Sequence, residues 1–187
     1  MTVAESELVP GRSCQGCTMC CKLMEVEELK KPRGKWCPHC DKAKGCTIYD
    51  TRPDSCRNFY CGYRRLPNLD DRWNPAKAKL LVNYESESNR ICVHVDPERP
   101  DAWRKDPFLK TFRFWAAESA RTGGYVIVWW GQTAAIVMAD RAAVFIDGRY
   151  TLQVRDQVDL SIFAPQHLIE EPPAQWLAAH VKPGDRI

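Results

Sequence analysis

Between Cys14 and Cys21 the chain reads CQGCTMCC, four thiols within eight residues. WCPHC follows at 36–40 and GCTIYDTRPDSCRNFYC at 45–61, so nine of the ten cysteines fall between residues 14 and 61. Thiols at C-x-x-C spacing suit metal binding, where the thiolate is the ligand, or exchange between dithiol and disulfide. The compartment separates the two. The opening MTVAESELVPGRS has no basic stretch leading into an apolar core, so no secretory signal is expected. No apolar run approaches the roughly 20 residues that span a bilayer; the longest, YVIVWW at Tyr125–Trp130, reads as a buried strand. The expectation is a cytoplasmic protein without a membrane span. There, stable disulfides are rare and crowded cysteines hold metal or do catalysis; a disulfide knot is the lesser alternative.

The candidate metal ligands are Cys14, Cys17, Cys20, Cys21, Cys37, Cys40, Cys46, Cys56 and Cys61. Their segment carries five Gly or Pro between Pro32 and Pro53 and few large apolar residues. It is too poor in apolar surface for a core of its own, and a bound metal would both pair the thiolates and cross-link the loops. The run Cys14, Cys17, Cys20 reaches three corners of an iron–sulfur cubane, with a fourth ligand from elsewhere. The same spacing lets one C-x-x-C pair join a distant pair around zinc, and CPHC at 37–40 leans that way. Spacing leaves zinc and iron–sulfur both open.

Adjacent Cys20 and Cys21 diverge by about 100° on a helix, so they are expected to serve different ions or different irons. Nine thiols with His39 suffice for two four-ligand sites, one multinuclear cluster being the competing count. His39 is a possible ligand, an exposed loop imidazole the plainer reading. Cys92, in NRICVHVD, is expected to be a small buried residue on a strand and no ligand. His94 faces away from Val93 and Val95 on that strand. Arg52 and Arg57 flank the last ligands, for capping or for hydrogen bonds to thiolates. Trp129 and Trp130 alternate between core and rim.

These motifs resemble the CxxCxxCC cysteine-cluster family, YkgJ-like proteins presumed to chelate zinc or iron. Cys14, Cys17, Cys20 and Cys21 match its first motif and Cys37 and Cys40 its middle pair. CTIYDTRPDSCRNF supplies Cys46 and Cys56, and Cys61 is additional. RWNPAKAKLL and DPERPDAW look similar more weakly. The resemblance implies metal binding and no defined reaction. Flagellin lysine N-methylases look similar across the same cluster, which makes an iron–sulfur protein methyltransferase the enzymatic alternative, although no separate S-adenosylmethionine module is visible. No Ser/His/Asp set, phosphate-cradling glycine loop or carboxylate pair is recognisable.

Charge supplies a third reading. From Arg12 to Arg65 twelve Lys and Arg stand against six Asp and Glu, whereas beyond Leu66 the counts are fifteen and sixteen. Basic residues beside metal-bound thiolates offset their charge; the sharper alternative is a zinc-organised nucleic-acid or protein adaptor.

The elements that must position these residues follow from pattern. The fold class is α+β: a Cys-rich metal-stabilised module over 12–66, packed on a small, mostly antiparallel sheet with one main helix over 67–187, the two making one compact unit. Residues 1–11 read as a loose leader. Cys20–Lys31 has apolar Leu23, Val26 and Leu29 on one helical face, stopped by Pro32 and Gly34. Residues 32–46 read as loop, and 51–61 as a short helix capped by Thr51. Strands are expected over Ala78–Glu85, Arg90–Asp96, Tyr125–Trp130, Thr133–Met138, Ala143–Asp147 and Arg149–Val154. The main helix is expected over Asp106–Arg121, with Asp106 as N-cap, Pro107 in its first turn and Gly123-Gly124 ending it. The tail beyond Phe163 is expected to wrap loosely.

Overall fold

A computed structural model of the chain describes residues 8–146 apart from 15, 132, 141 and 142. The strand expected over Arg149–Val154, the tail beyond Phe163 and most of the leader lie outside the described residues. Helices and sheets are both present, in keeping with the α+β expectation.

Five helices are described: α1 (Met19–Leu23), α2 (Asp54–Arg57), α3 (Gly62–Arg65), α4 (Pro75–Ala78) and α5 (Phe108–Ala120). The strands are β1 (Cys40–Asp41), β2 (Gly45–Cys46), β3 (Leu80–Glu85), β4 (Arg90–Val95), β5 (Tyr125–Trp130), β6 (Thr133–Val137) and β7 (Val144–Ile146). β1 and β2 form a hairpin of their own, and the second sheet runs in the order β3-β4-β5-β6-β7. The β1/β2, β5/β6 and β6/β7 pairings are antiparallel, with Ile127 opposite Ile136 and Ala135 opposite Phe145.

The described residues divide into two compact units. One holds those up to Tyr84 together with Val93–Trp103; the other holds Glu85–Cys92 and the described residues from Arg104 on. In the second unit α5 buries Phe108, Phe112 and Ala116, a stripe at i, i+4 and i+8 that packs mainly on β5. Tyr125 to Val128 are all buried, which is why this strand reads as a continuous apolar run. Trp129 and Trp130 are half-buried.

Several boundaries differ from expectation for local reasons. Pro107 occupies the N-cap of α5 and Phe108 its first turn, one residue later than the Asp106 cap expected. The helix anticipated over Cys20–Lys31 stops at Leu23, because Met24 is extended and Val26 bridges to Lys31. A single 3₁₀ turn, Glu27–Leu29, is all that continues it. Thr51 lies in another such turn, and α2 starts behind Pro53 without a side-chain cap. The supposed loop at 32–46 contains the β1/β2 hairpin, closed by Asp41 Oδ1 accepting from the backbone N–H of Ala43 and Lys44.

Within the second unit the chain turns from α5 into β5 through Gly123, whose φ of +72° favours glycine, and Gly124. Gly124 lies against the turn at Asn89, where a Cβ would come within 2.5 Å of the Asn89 carbonyl oxygen. That turn is fixed, because Asn89 has φ +44° and its Nδ2 donates to Thr122 O at 2.8 Å. Gly124→Ala is therefore expected to destabilise the fold by about 1–3 kcal/mol through overpacking. A urea midpoint unchanged from wild type would show that the turn yields.

Candidate metal centre

Five separate stretches deliver the nine thiols, all in the first unit. Cys14 and Cys17 are joined by a tight turn in which the Cys17 N–H donates to Cys14 O at 3.0 Å, with Gly16 at φ +74°. α1 starts immediately after and carries Cys20 and Cys21. Met19 and Leu23, one turn apart, cluster with Leu81 of β3, and Cys17, Cys20, Met24, Phe59 and Cys61 pack around them. That apolar cluster gathers three thiols from three stretches.

Cys37 is brought beside α1 by its own N–H, which donates to Cys21 O at 2.9 Å. Cys40 closes a turn onto Cys37 O at 3.1 Å, and the hairpin sets Cys40 opposite Cys46. Cys56 rides on α2, whose Ser55 Oγ donates to Glu28 Oε2 at 2.8 Å and so ties α2 to the turn after α1. Cys61 sits at the N-cap of α3, its thiol facing the N–H groups of Arg64 and Tyr63.

The leader's end is not loose. Val9 N–H donates to Arg64 O at 2.8 Å, and the Arg12 guanidinium donates to the carbonyls of Tyr63, Leu66 and Leu69 around the end of α3 while stacking 4.5 Å from the Tyr63 ring centroid. A cation at a helix C-terminus satisfies the last carbonyls and the dipole together. Arg12 thereby anchors the chain two residues before Cys14 to the helix that begins just after Cys61. The sequence reading missed this role; an Arg directly before the first C-x-x-C was the available signal.

Electrostatically the thiols fall into two sets. Burial pushes Cys14 up; Arg64 and Arg52 pull it back, and Cys17 and Cys21 add to the rise. Burial likewise pushes Cys61 up to about 11 against the Arg64 N–H, with Cys14 and Cys17 contributing. In the second set Cys21 is pushed well above the thiol range by its hydrogen bond with Cys20 and by burial, while a hydrogen bond with Cys40 and the Lys31 ammonium oppose this. Cys40 is pushed up to about 12 by burial, with Cys21, Cys37 and Cys46 adding. Burial raises Cys56, and Cys21 and Cys37 add to it. Cys20 and Cys21 stand at the seam. Crowded thiols that resist ionisation together are the donor chemistry a cation relieves, so the residues fit a thiolate-bound metal in kind. Their spacing is not that of a finished site: among the described residues no group of three or more His, Cys, Asp or Glu side chains stands in metal-holding geometry. None of the ten cysteines forms a disulfide.

The remaining candidates are placed as follows. His39 is half-buried and offers its carbonyl to Thr47. Cys92 belongs to the second unit, buried on β4, its Sγ donating to Glu85 Oε1 at 3.2 Å. His94 is buried with Nε2 2.8 Å from Asn83 Oδ1. Arg52 lies 3.9 Å from the Tyr49 ring centroid, and Arg57 donates to Arg52 O and pairs with Asp54. No family model matches the chain, and neither a curated protein nor a solved structure is similar to it.

α1 is pinned by a buried ion pair that sequence patterning did not reveal. Lys22 is 4% exposed, and its Nζ lies 2.7 Å from Asp96 Oδ1 and 3.0 Å from Glu98 Oε1. Burial opposes the charge, but the hydrogen bonds to Asp96 and Glu98 outweigh it and hold the ammonium above its usual range. Lys22→Met leaves buried Asp96 unpaired and is expected to cost about 3–5 kcal/mol. Thermal unfolding of Lys22→Met alongside Lys22→Met/Asp96→Asn checks this: the double variant should recover part of the loss, and equal loss in both would refute the pairing.

Proposed function

We propose that this chain is a metal-binding protein whose thiols hold two ions, one on Cys14, Cys17, Cys20 and Cys61 and one on Cys21, Cys37, Cys40 and Cys56. What supports the reading is the grouping of the thiols: Cys17, Cys20 and Cys61 pack around the Met19–Leu23–Leu81 cluster with Cys14 one turn away, and Cys21, Cys37, Cys40, Cys46 and Cys56 gather around the hairpin and α2. The first group has four thiols, the ligand number of a structural zinc site, and the second has one to spare. Bound metal would supply thiolate charge pairing and a cross-link between loops whose apolar support among the described residues is the small Met19–Leu23–Leu81 cluster. Cys46, opposite Cys40 at the edge of the second set, is the spare thiol. The resemblance to the YkgJ-like family likewise implies metal binding, but its eight matching cysteines include Cys46 and leave Cys61 additional.

The first set also has the C-x-x-C-x-x-C run of a cubane, which favours an iron–sulfur cluster there as a second reading. The adaptor reading draws less support. Arg12, Arg52 and Arg64 stack on Tyr63, Tyr49 and Tyr60, Lys42 stacks on Trp36, and Lys22 is ion-paired. Four of the segment's twelve basic residues are thus stacked on its own rings, and Lys22 is paired with carboxylates beyond it.

Anaerobic purification with metal analysis tests the proposal. About two ions per chain are expected, from four-coordinate sites. Cys20→Ser, Cys21→Ser and Cys61→Ser should each lose about one ion, while Cys46→Ser and Cys92→Ala keep both. Equal, total loss from Cys20→Ser and Cys21→Ser would mean a single multinuclear centre. Iron with acid-labile sulfide would select the cluster for the first set.

Chelation under reducing conditions should also open residues 14–61 to protease, since structural zinc contributes on the order of 10 kcal/mol to such modules. Full protection in the metal-free chain would show that metal does not hold this segment.

A further inference from the structure

The hairpin of β1 and β2 sets two thiols directly against each other. Cys40 of β1 is the register partner of Cys46 of β2, and Asp41 that of Gly45. Just outside the pair, Thr47 N–H donates to His39 O at 2.8 Å, and Thr47 Oγ1 donates to the same oxygen at 3.0 Å. A backbone bond in that position makes Cys40 and Cys46 a non-hydrogen-bonded pair of the antiparallel ladder, the kind whose side chains come closest. Both side chains then share one face, and in such pairs the Cα atoms stand about 4.5 Å apart. A disulfide spans Cα separations of about 4.4–6.8 Å, so this backbone already lies within reach of one.

The turn that holds the register is built locally, from Asp41 Oδ1 and the N–H groups of Ala43 and Lys44. Neither thiol is sealed in: both are half-buried, and Lys42, Ala43, Lys44 and Thr47 around them are exposed. Cys37, the other neighbour of Cys40, is buried and fastened by its N–H to Cys21 O at 2.9 Å. With two ions bound, Cys37 and Cys40 are both ligands and Cys46 is spare. A free, accessible thiol then faces a bound thiolate across one rung of the ladder.

We propose that Cys40 and Cys46 are a redox-active pair: a peroxide joins them in a disulfide, which withdraws Cys40 from the second ion and releases that ion. The release rests on the two-ion reading; the bridge rests on the ladder alone. The thiolate of Cys46 attacks one oxygen of hydrogen peroxide, the O–O bond breaks, and the departing hydroxide is protonated to water, leaving a sulfenic acid on Cys46. The Cys40 sulfur attacks the Cys46 sulfur, the S–S bond forms, the S–O bond breaks, and hydroxide again leaves as water. Both sulfurs are oxidised and the peroxide is reduced to water. Cys46 supplies one proton and solvent the other, because Cys40 enters as a metal-bound thiolate. Cys21, Cys37 and Cys56 then remain on the ion, short of the full set of a structural zinc site.

The test uses the full chain loaded with zinc and freed of reductant. Zinc content is measured, hydrogen peroxide is added, released zinc is read with a chromogenic chelator, and free thiols are alkylated for peptide mapping. Lys42 and Lys44 lie between the two cysteines, so trypsin separates them and the bridge appears as two linked peptides, whose fragmentation places the S–S bond. The expected result is a Cys40–Cys46 bridge, loss of about two thiols per chain, and release of one of the two ions. Dithiothreitol with zinc should restore all three. Cys46→Ser should keep both ions at the peroxide dose that frees one from wild type.

Equal zinc release from wild type and Cys46→Ser would overturn the proposal. A bridge from Cys40 to Cys37 or to Cys21, or sulfinic acid on Cys46 without a bridge, would also overturn it. The map is read on wild type, so it decides even if Cys46→Ser fails to fold. A wild-type chain that carries no zinc before oxidation would refute the two-ion reading, while the mapped bridge still decides for or against the pair.

Discussion

A helix of five residues has no stability of its own in water, since nucleation consumes more than so few hydrogen bonds return. Yet α1 carries two of the thiols, accepts the backbone of a third and presents the carbonyls that hold Lys31. Its existence rests on what Met19, Lys22 and Leu23 bury. Met19 and Leu23 close against Leu81, and Lys22 is fastened to Asp96. The hydrophobic contact is non-directional and fixes only which face turns inward. The ion pair has a geometry, and it fixes rotation and height along the helix. With both in place, Cys20 is directed toward the apolar cluster and Cys21 toward the strand of chain that brings Cys37.

This division of α1 runs between its vicinal cysteines. Adjacent side chains on a helix tend to diverge, and Cys20 packs on the apolar cluster while Cys21 also meets Cys40, yet the two thiols remain in hydrogen-bond contact with each other. The remaining thiols arrive by backbone devices and not by packing: a turn at 14–17, a turn at 37–40, the two-residue ladder of β1 and β2, and the first turns of α2 and α3. None of these buries much surface. They bring the sulfurs near one another through single turns and a two-residue ladder.

Patterning read the second unit well because its logic is hydrophobic. Phe108, Phe112 and Ala116 recur at helical spacing, Tyr125–Val128 form a run too short for a helix, and both came out with nearly the right limits. The Cys-rich segment was legible in composition but not in shape. Leu23, Val26 and Leu29 have helical spacing, yet the backbone turns extended at Met24 because Val26 pairs with Lys31. A two-residue hairpin such as β1/β2 offers no period to detect. The pairing of Lys22 with Asp96, seventy-four residues apart, and the clamp of Arg12 on α3 are tertiary facts without local signature. Cys61 looked supernumerary beside eight matching positions, whereas its place at the head of α3 sets it among Cys14 and Cys17.

The cations around the thiols are of two kinds, and the difference follows from burial. Arg64 and Arg52, which act on Cys14, are only partly buried and stack on Tyr60 and Tyr49. A guanidinium is weakly hydrated, planar and always charged, so it tolerates such a half-covered site and spreads its charge broadly. Lys31 is a compact ammonium, withdrawn from water and held by carbonyls. A point charge of that kind acts over short range and depends on nearby anions for its own ionisation. The guanidinium charge beside Cys14 therefore persists whatever the protonation of the thiols, whereas the ammonium of Lys31, which burial disfavours, does not have that independence.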